Sequence, residues 1–502
     1  MINMDISISS IIFLTQILVL TSTAILNLII NKKEKRKDLN FYSILLNLVL
    51  NTAVWIPSIF NNKIKESTIF NISNGTFIII DLIYFLGLLL SIFSRNEFES
   101  DQISDCLFLL IISCFIGIII TLNLVSLFSC FLTATFLLGT IFYTGEYKKE
   151  YKILKFYFIG IIFTTIFLLL SVVVIFLESK SLLLYKIDIF EFSEISNILI
   201  SILLIFGISI PFGIIPFSIY HLRNYFRNSS YTHLFLYSIF NYISVFLLIR
   251  ILKLFTFSLI FNGFIIFILS SLSLILSLFY IFAELFTNFD GKTFSIKKIF
   301  GYSVVSDYNL FLLLSSILAL INIENSTLYF ESLIFFIFIT MFSKLLIFYT
   351  FHPVMLETYD DNLKILGDFW TKYKFFGLVL FASGLFYIFP LGLSGIFNLL
   401  YINTLNEFNM NSLFKLIGTL TLSLFVVYLF ISLTLISVFF TRIYFKNKTE
   451  YQERDNIKET SLSYVLPIFV YLALFLTFII IYYLNNNIVF ELFREFFMAT
   501  EL

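Results

Sequence analysis

A chain of 502 residues that is 59% hydrophobic and 13% charged, with 32 basic against 32 acidic side chains, has no polar stretch long enough to bury a soluble core. Its basic residues fall in short clusters beside apolar runs, which excludes a nucleic-acid surface. Cys106, Cys114 and Cys130 lie in or beside apolar runs at spacings of eight and sixteen with no Cys-x-x-Cys pair, so neither a disulfide framework nor a zinc or iron–sulfur centre is expected.

The predicted elements are membrane-spanning helices. In chain order the sequence offers fourteen apolar stretches: Ile8–Ile30, Phe41–Phe60, Thr76–Phe93, Cys106–Leu122, Leu124–Tyr143, Phe156–Phe176, Ile198–Ile219, Leu234–Ile251, Phe255–Phe282, Gly301–Leu320, Ser332–Phe351, Phe375–Leu400, Leu416–Phe440 and Ser463–Leu484. Most are close to the ~20 residues a helix needs to cross a bilayer. The odd-numbered connections, from Lys32–Lys37 through Lys148–Lys155 to Arg442–Lys458, hold 23 of the 32 basic residues. Basic loops collect on one side of a membrane, so this alternation independently supports fourteen crossings, with both termini opposite the basic face. Ile8–Ile30 is long enough to span and has no basic region before it, so no cleavable leader is expected.

Prolines mark two of these spans. Pro211 and Pro216 interrupt the seventh, beside Gly207 and Gly213, and Pro390 interrupts the twelfth, before Gly392 and Gly395. An interior proline removes a backbone hydrogen bond, which a membrane tolerates only where protein or a wet cavity satisfies the freed group. Helix breaks five spans apart are what an inverted repeat of five helices produces. The expected divisions are residues 1–105 as three leading helices, 106–254 and 255–442 as the two repeats, and 443–502 as a final helix and tail. The excess of Phe, Ile, Asn, Lys and Tyr follows A/T-rich codons and carries no functional meaning, although it suits an organellar or parasite-type genome.

Lys297-Lys298-Ile299-Phe300-Gly301-Tyr302-Ser303-Val304-Val305-Ser306 resembles the tenth-helix signature K-R-L-L-[AG]-Y-S-[ST]-I-S of the antiporter-like subunits of respiratory complex I. Pro216-Phe217 looks like the family's Pro-Phe-His, Arg250 falls where an Arg closes the eighth helix, and Pro390 to Asn398 is similar to the run in broken helix twelve. The resemblance, over Leu107 to Phe440, points first to the subunit 2 type and next to the subunit 4 type of NADH:ubiquinone oxidoreductase. It implies an all-α polytopic fold of about fourteen helices in the mitochondrial inner membrane, with basic loops toward the matrix and termini toward the intermembrane space. It also implies other membrane-arm subunits and lipids as partners, no cofactor, and no direct NADH or quinone binding.

The departures are as informative. Family members carry a Glu in helix five, but no charged residue lies between Asp105 and Glu146. The family lysines of helices seven, eight and twelve fall on Pro211, Asn241 and Asn398. An Asn cannot titrate, so the usual proton-path residues are lost.

Each ionisable residue left inside a span is a candidate by default, since membrane charges cost roughly 2.5–3.5 kcal/mol on insertion scales. Lys344, deep in the eleventh span, is the sharpest; its bland alternative is a packing charge paired to a carbonyl or an acid. Glu284 and Asp307 are candidate companions on a polar axis, yet both are placed near an interface, where solvation explains them. Asp81 is expected to make a helix–helix polar contact. His221, His233 and His352 have no ligand-like spacing, so no metal site is expected. Three functions remain open: a proton-translocating subunit with path residues lost, a structural spacer without translocation, and a subunit of a multi-subunit cation/proton antiporter. The missing charges favour the spacer and predict an unchanged proton-to-electron ratio after Lys344→Met.

Overall fold

The computed structural model describes residues 8–60, 74–96, 102–144, 151–187, 192–214, 231–254, 259–286, 296–318 and 412–445, with isolated positions from 333 to 384. Its helices are α1 (Ile8–Ile29), α2 (Lys33–Phe60), α3 (Asn74–Asn96), α4 (Gln102–Ile120), α5 (Leu124–Thr144), α6 (Tyr151–Ser179) and α7 (Glu194–Ser209). They continue as α8 (Tyr231–Leu254), α9 (Leu259–Phe286), α10 (Ile296–Leu318) and α11 (Ser412–Phe445). Residues 339–347 are also helical. Helices satisfy every backbone donor internally, which is why apolar runs of this length take no other form in hydrocarbon. Among the described residues the only strand-like pairing is an isolated bridge between Asn123 and Leu183. Among the described residues seven helices, α1, α4, α5, α6, α7, α9 and α11, are long and apolar enough to cross a membrane. The protein is an all-α polytopic membrane protein.

Helices occur at the first ten predicted spans and the thirteenth; the fourteenth, and nearly all of the twelfth, lie outside the described residues. The predicted boundaries differ from the observed ones in a consistent way. α2 starts inside the Lys32–Lys37 cluster, α10 starts at Ile296 rather than Gly301, and α11 extends beyond both ends of Leu416–Phe440. Apolar composition marks the hydrocarbon-crossing part, whereas the hydrogen-bonded helix continues into polar flanks.

The chain divides into two compact units. One holds α1 to α7 with the end of α8 from Phe246; the other holds the start of α8 with α9, α10 and α11. Each helix keeps two unlike faces. α6 turns Ile162, Ile166, Leu169, Val173 and Leu177 outward, while Thr164, Leu168, Ser171 and Ile175 are buried. α9 exposes Phe264, Ile268, Leu272, Ile275 and Phe279 and buries Ser270, Ser273, Ser277 and Glu284. Both sets recur every three or four residues, so each forms one stripe. The inward stripes carry the small and hydroxyl residues, because lipid gives no hydrophobic reason to bury a Leu and close packing favours small side chains. Gly207 of α7 illustrates the fit: a Cβ there would meet Leu168 Cδ2 of α6 at 2.6 Å.

In the first unit, charge fixes the helix ends. Arg36 of α2 is 4% exposed, donates from Nε to Asp105 Oδ2 of α4 at 2.9 Å, and donates from Nη1 to the carbonyls of Ile30 and Asn31 at 3.0 Å each. Gln102 Nε2 reaches the same turn, at 3.2 Å from the Ile30 carbonyl and 2.8 Å from Asn31 Oδ1. The α1–α2 turn is thus tied to the start of α4. Arg250 is buried at 2% exposure and donates from Nη1 to the Ile119 carbonyl at the end of α4, at 3.2 Å. A cation there offsets the negative helix terminus and occupies an orphan carbonyl. Asn123 then opens α5, its Oδ1 accepting from the Val125 N–H at 2.9 Å.

α7 begins on a cap, with Ser193 Oγ accepting from the Ser196 N–H at 3.2 Å. It ends at Ser209, gives way to a short 3-10 turn over Ile210–Phe212, and passes into Gly213 at φ 78°. Pro211 sits inside that turn, where its missing N–H ends the α-helical ladder, and Gly213 accepts a left-handed conformation that other residues adopt at a cost. Pro216 and Pro390, the other two predicted break points, lie outside the described residues.

Replacing Arg36 by Met should destabilise the protein by about 3–5 kcal/mol, because it leaves the Asp105 carboxylate buried without its cation. Thermal unfolding in detergent measures this. Asp105→Asn combined with Arg36→Met should recover part of the loss, and equal melting of Arg36→Met and the unmodified protein would refute the assignment.

Candidate functional site

Asp307 is the organising group of the second unit. It stands eleven residues from either end of α10, so about 16 Å of helix separates it from each terminus. It is wholly buried. Three donors converge on its carboxylate. Lys344 Nζ pairs with Oδ2 from the 339–347 helical stretch. Tyr242 OH of α8 donates to Oδ2 at 3.2 Å, and Tyr428 OH of α11 donates to Oδ1 at 2.7 Å. Lys344 is 2% exposed, and both tyrosines are buried. A buried carboxylate without partners would be prohibitively costly, and here an opposite charge and two hydroxyls compensate it.

The surroundings are aromatic and closely packed. Phe311, one turn beyond Asp307, lies 5.8 Å from Tyr242 and 5.8 Å from Phe336, which in turn meets Phe425 at 5.9 Å. Tyr308 packs against Phe212 with ring centroids 4.7 Å apart and ring planes tilted by 31°. The contact with Phe311 holds the Tyr242 ring, and the buried aromatic surroundings keep the ion pair from bulk water.

Glu284 does not join that group. It receives Lys298 Nζ at 3.4 Å, pairing the end of α9 with the first turn of α10. Lys298 and Asp307 are nine positions apart on α10, about 13 Å along the axis. The intervening buried positions include Tyr302, stacked on Tyr280 at 5.3 Å, then Ser303 and Ser306. Hydroxyls therefore punctuate α10 from its basic end to its centre.

Asp307 lies farther from the start of its helix than the apolar stretch suggests. The sequence sets the start of the tenth span at Gly301; the helix begins at Ile296, and its polar first turn moves Asp307 to the middle. Of the three positions that the sequence sets against lysines, Pro211 forms the 3-10 turn described above, and Asn398 lies outside the described residues. Asn241 is 1% exposed and donates from Nδ2 to the Val304 carbonyl of α10 at 2.7 Å, one residue before Tyr242 reaches Asp307. It keeps a helix–helix contact and offers no proton to exchange. Tyr242 and Tyr428 escape sequence reasoning because nothing in one dimension separates them from the other tyrosines among 28.

No protein-family model and no curated protein sequence matches the chain. Solved structures do. The chain superposes on one from the membrane-bound sulfane sulfur reductase (MBS), an archaeal respiratory membrane complex, with a TM-score of 0.72 and 14% identity over 98% of this chain and 97% of that one. A chain of the Mrp complex from Dietzia sp. DQ12-45-1b gives 0.72 and 13% over 97% of each. One from respiratory complex I of Thermus thermophilus with bound NADH gives 0.66 and 11% over 97% of this chain and 99% of that one. This chain has their fold. At such identities the likeness carries architecture alone, and the chemistry must come from the residues.

Tyr428→Phe keeps the ring and deletes the shorter bond to Asp307, so it should cost about 1.5–3 kcal/mol, as for a hydrogen bond to a charged group. Tyr242→Phe, which deletes the longer bond, should cost less. Unfolding in detergent compares the two, and the reverse order would show that Tyr428 is not the principal hydroxyl partner.

Proposed function

We propose that the chain is an antiporter-like membrane-arm subunit of a proton-translocating NADH:ubiquinone oxidoreductase, and that the Asp307–Lys344 pair carries its remaining proton chemistry. The single observation behind this is a lysine and an aspartate paired at the centre of a helix, with two tyrosine hydroxyls on the same carboxylate. A buried acid–base pair moves a proton when a neighbouring charge alters which of its two states is favoured. In one state the lysine holds the proton and both groups are charged. Transfer of that proton to Asp307 leaves both neutral, and Lys344 then accepts another from a hydrated path. The tyrosine hydroxyls stabilise the carboxylate state and relax when it is protonated. Ser303, Ser306 and the Glu284–Lys298 pair mark a polar approach from the basic end of α10.

On this reading the subunit works beside other membrane-arm subunits and lipids, holds no cofactor, and binds neither NADH nor quinone. The subunit 2 type and the mitochondrial inner membrane are its proposed class and location, supported by the motif around Gly301 and the A/T-rich residue usage. Residues 106–254 and 255–442 are proposed as the inverted five-helix repeats.

One specific observation favours a spacer instead. Asn241 occupies a lysine position with an untitratable amide bound to a backbone carbonyl. The two readings part on one measurement, the proton-to-electron ratio of the assembled complex with Lys344→Met. The sequence predicts no change; the convergence on Asp307 leads us to expect a lowered ratio with electron transfer retained. Because this variant strands a buried carboxylate, Lys344→Met with Asp307→Asn serves as the assembly control. An unchanged ratio in both variants, with normal assembly, establishes the spacer.

A further inference from the structure

The three leading helices carry a second buried polar row, independent of Asp307. On α2, Asn40, Asn47 and Asn51 recur at spacings of seven and four, so they share one face. On α1, Gln16, Thr23 and Asn27 do the same. All six are buried, and Gln16, Asn27, Asn47 and Asn51 are 0% exposed. The row begins beside the Arg36–Asp105 pair and the buried Lys37. Next comes Asn27 Nδ2 donating to Asn40 Oδ1 at 2.6 Å. Further on, Tyr84 OH of α3 donates to Gln16 Oε1 at 3.2 Å. Asn51 Nδ2 donates to Asp81 Oδ1 at 2.8 Å and to the Phe77 carbonyl at 3.0 Å. From Arg36 to Asn51 the row covers about 22 Å along α2.

These contacts are incomplete in a regular way. Among the described residues, neither amide atom of Asn47 has a hydrogen-bond partner, and the same is true of Gln16 Nε2, Asn27 Oδ1 and Asn51 Oδ1. Each such atom costs about 1–3 kcal/mol when left dry. A segment serving only to pack would carry Leu or Ala at these positions at no such cost. Four amides with open atoms on facing stripes instead supply the two to four polar partners that an internal water requires. The row also has a carboxylate toward its far end. Asp81 stands seven residues inside α3, and the groups that face it are the Asn51 amide and, one turn away, Tyr84 held by Gln16.

We propose that this row is a water-filled half-channel leading from the Lys32–Lys37 end to Asp81, and that Asp81 takes up and releases protons through it. The proton arrives as hydronium along the amide-bound waters, protonates the Asp81 carboxylate, and leaves by the same bond breaking, with no other reactant. Gln16, Asn47 and Asn51 position the waters; Asp81 is the one group in the row that holds the proton.

The test uses the full chain in lipid vesicles with Cys106, Cys114 and Cys130 replaced by Ser. A thiol reacts as thiolate and so needs water, hence Asn47→Cys should react with silver ion at least about tenfold faster than Val49→Cys, which lies on the outward face of the same helix. In pH-jump infrared difference spectra, a carboxyl C=O band present in the native chain should vanish with Asp81→Asn and return, shifted, with Asp81→Glu. Asn47→Leu, which plugs the row with a good helix-packing residue, should slow the appearance of that band about tenfold relative to Asn47→Ser. Equal silver reactivity at 47 and 49, or a band untouched by Asp81→Asn, would overturn the proposal. Lys344→Met should leave every one of these signals in place, which separates this result from the fate of the Asp307 reading.

Discussion

Hydrocarbon supplies no water to a buried charge, so each ion inside a membrane protein must find its partner in the chain itself. In the second unit that requirement is met at Asp307, where Lys344, Tyr242 and Tyr428 arrive from three further segments and occupy both carboxylate oxygens. The position of those segments about α10 is therefore constrained by a handful of polar contacts rather than by the burial of apolar surface. Lipid tails are as apolar as leucine, and the outward stripes of α6, α9 and α11 gain nothing by turning inward. Specificity in the packing comes from the polar inward positions and from close approaches such as Gly207 against Leu168.

The first unit meets the same requirement differently. Two of its charged groups sit at helix ends, the Arg36–Asp105 pair and Arg250 on the Ile119 carbonyl of α4, while Asp81 lies inside α3 among amides. Amides hold helices together and hold water, but they cannot carry charge. Asn241 shows an amide acting this way in the second unit: its bond to the Val304 carbonyl holds α8 against α10.

How much of this could be read from the sequence differs residue by residue. Apolar runs and the alternation of basic loops locate the helices, because the length of a span and the side of its flanking lysines are local properties. Lys344 is conspicuous for the same reason, as a lone charge in an apolar stretch. Its partner is not, since the groups on Asp307 are 37, 65 and 121 residues away in the chain. The start of α10 adds five residues of polar helix ahead of Gly301 that hydropathy does not register. The buried row of α1 to α3 is visible as a spacing of Gln and Asn, but the A/T-rich composition makes Asn common everywhere, and only burial distinguishes Asn47 from Asn at a loop. Arg36 is hidden in a cluster of basic residues that the sequence alone does not rank.

The proposed role of Asp307 requires that it change its protonation state while the complex works. Infrared difference spectroscopy of the intact complex, recorded between the resting state and steady turnover, observes that event directly. A protonated carboxyl band that appears in turnover and disappears in Asp307→Asn is the predicted result. A turnover spectrum indistinguishable between the native complex and an Asp307→Asn complex of normal assembly and electron transfer would contradict it.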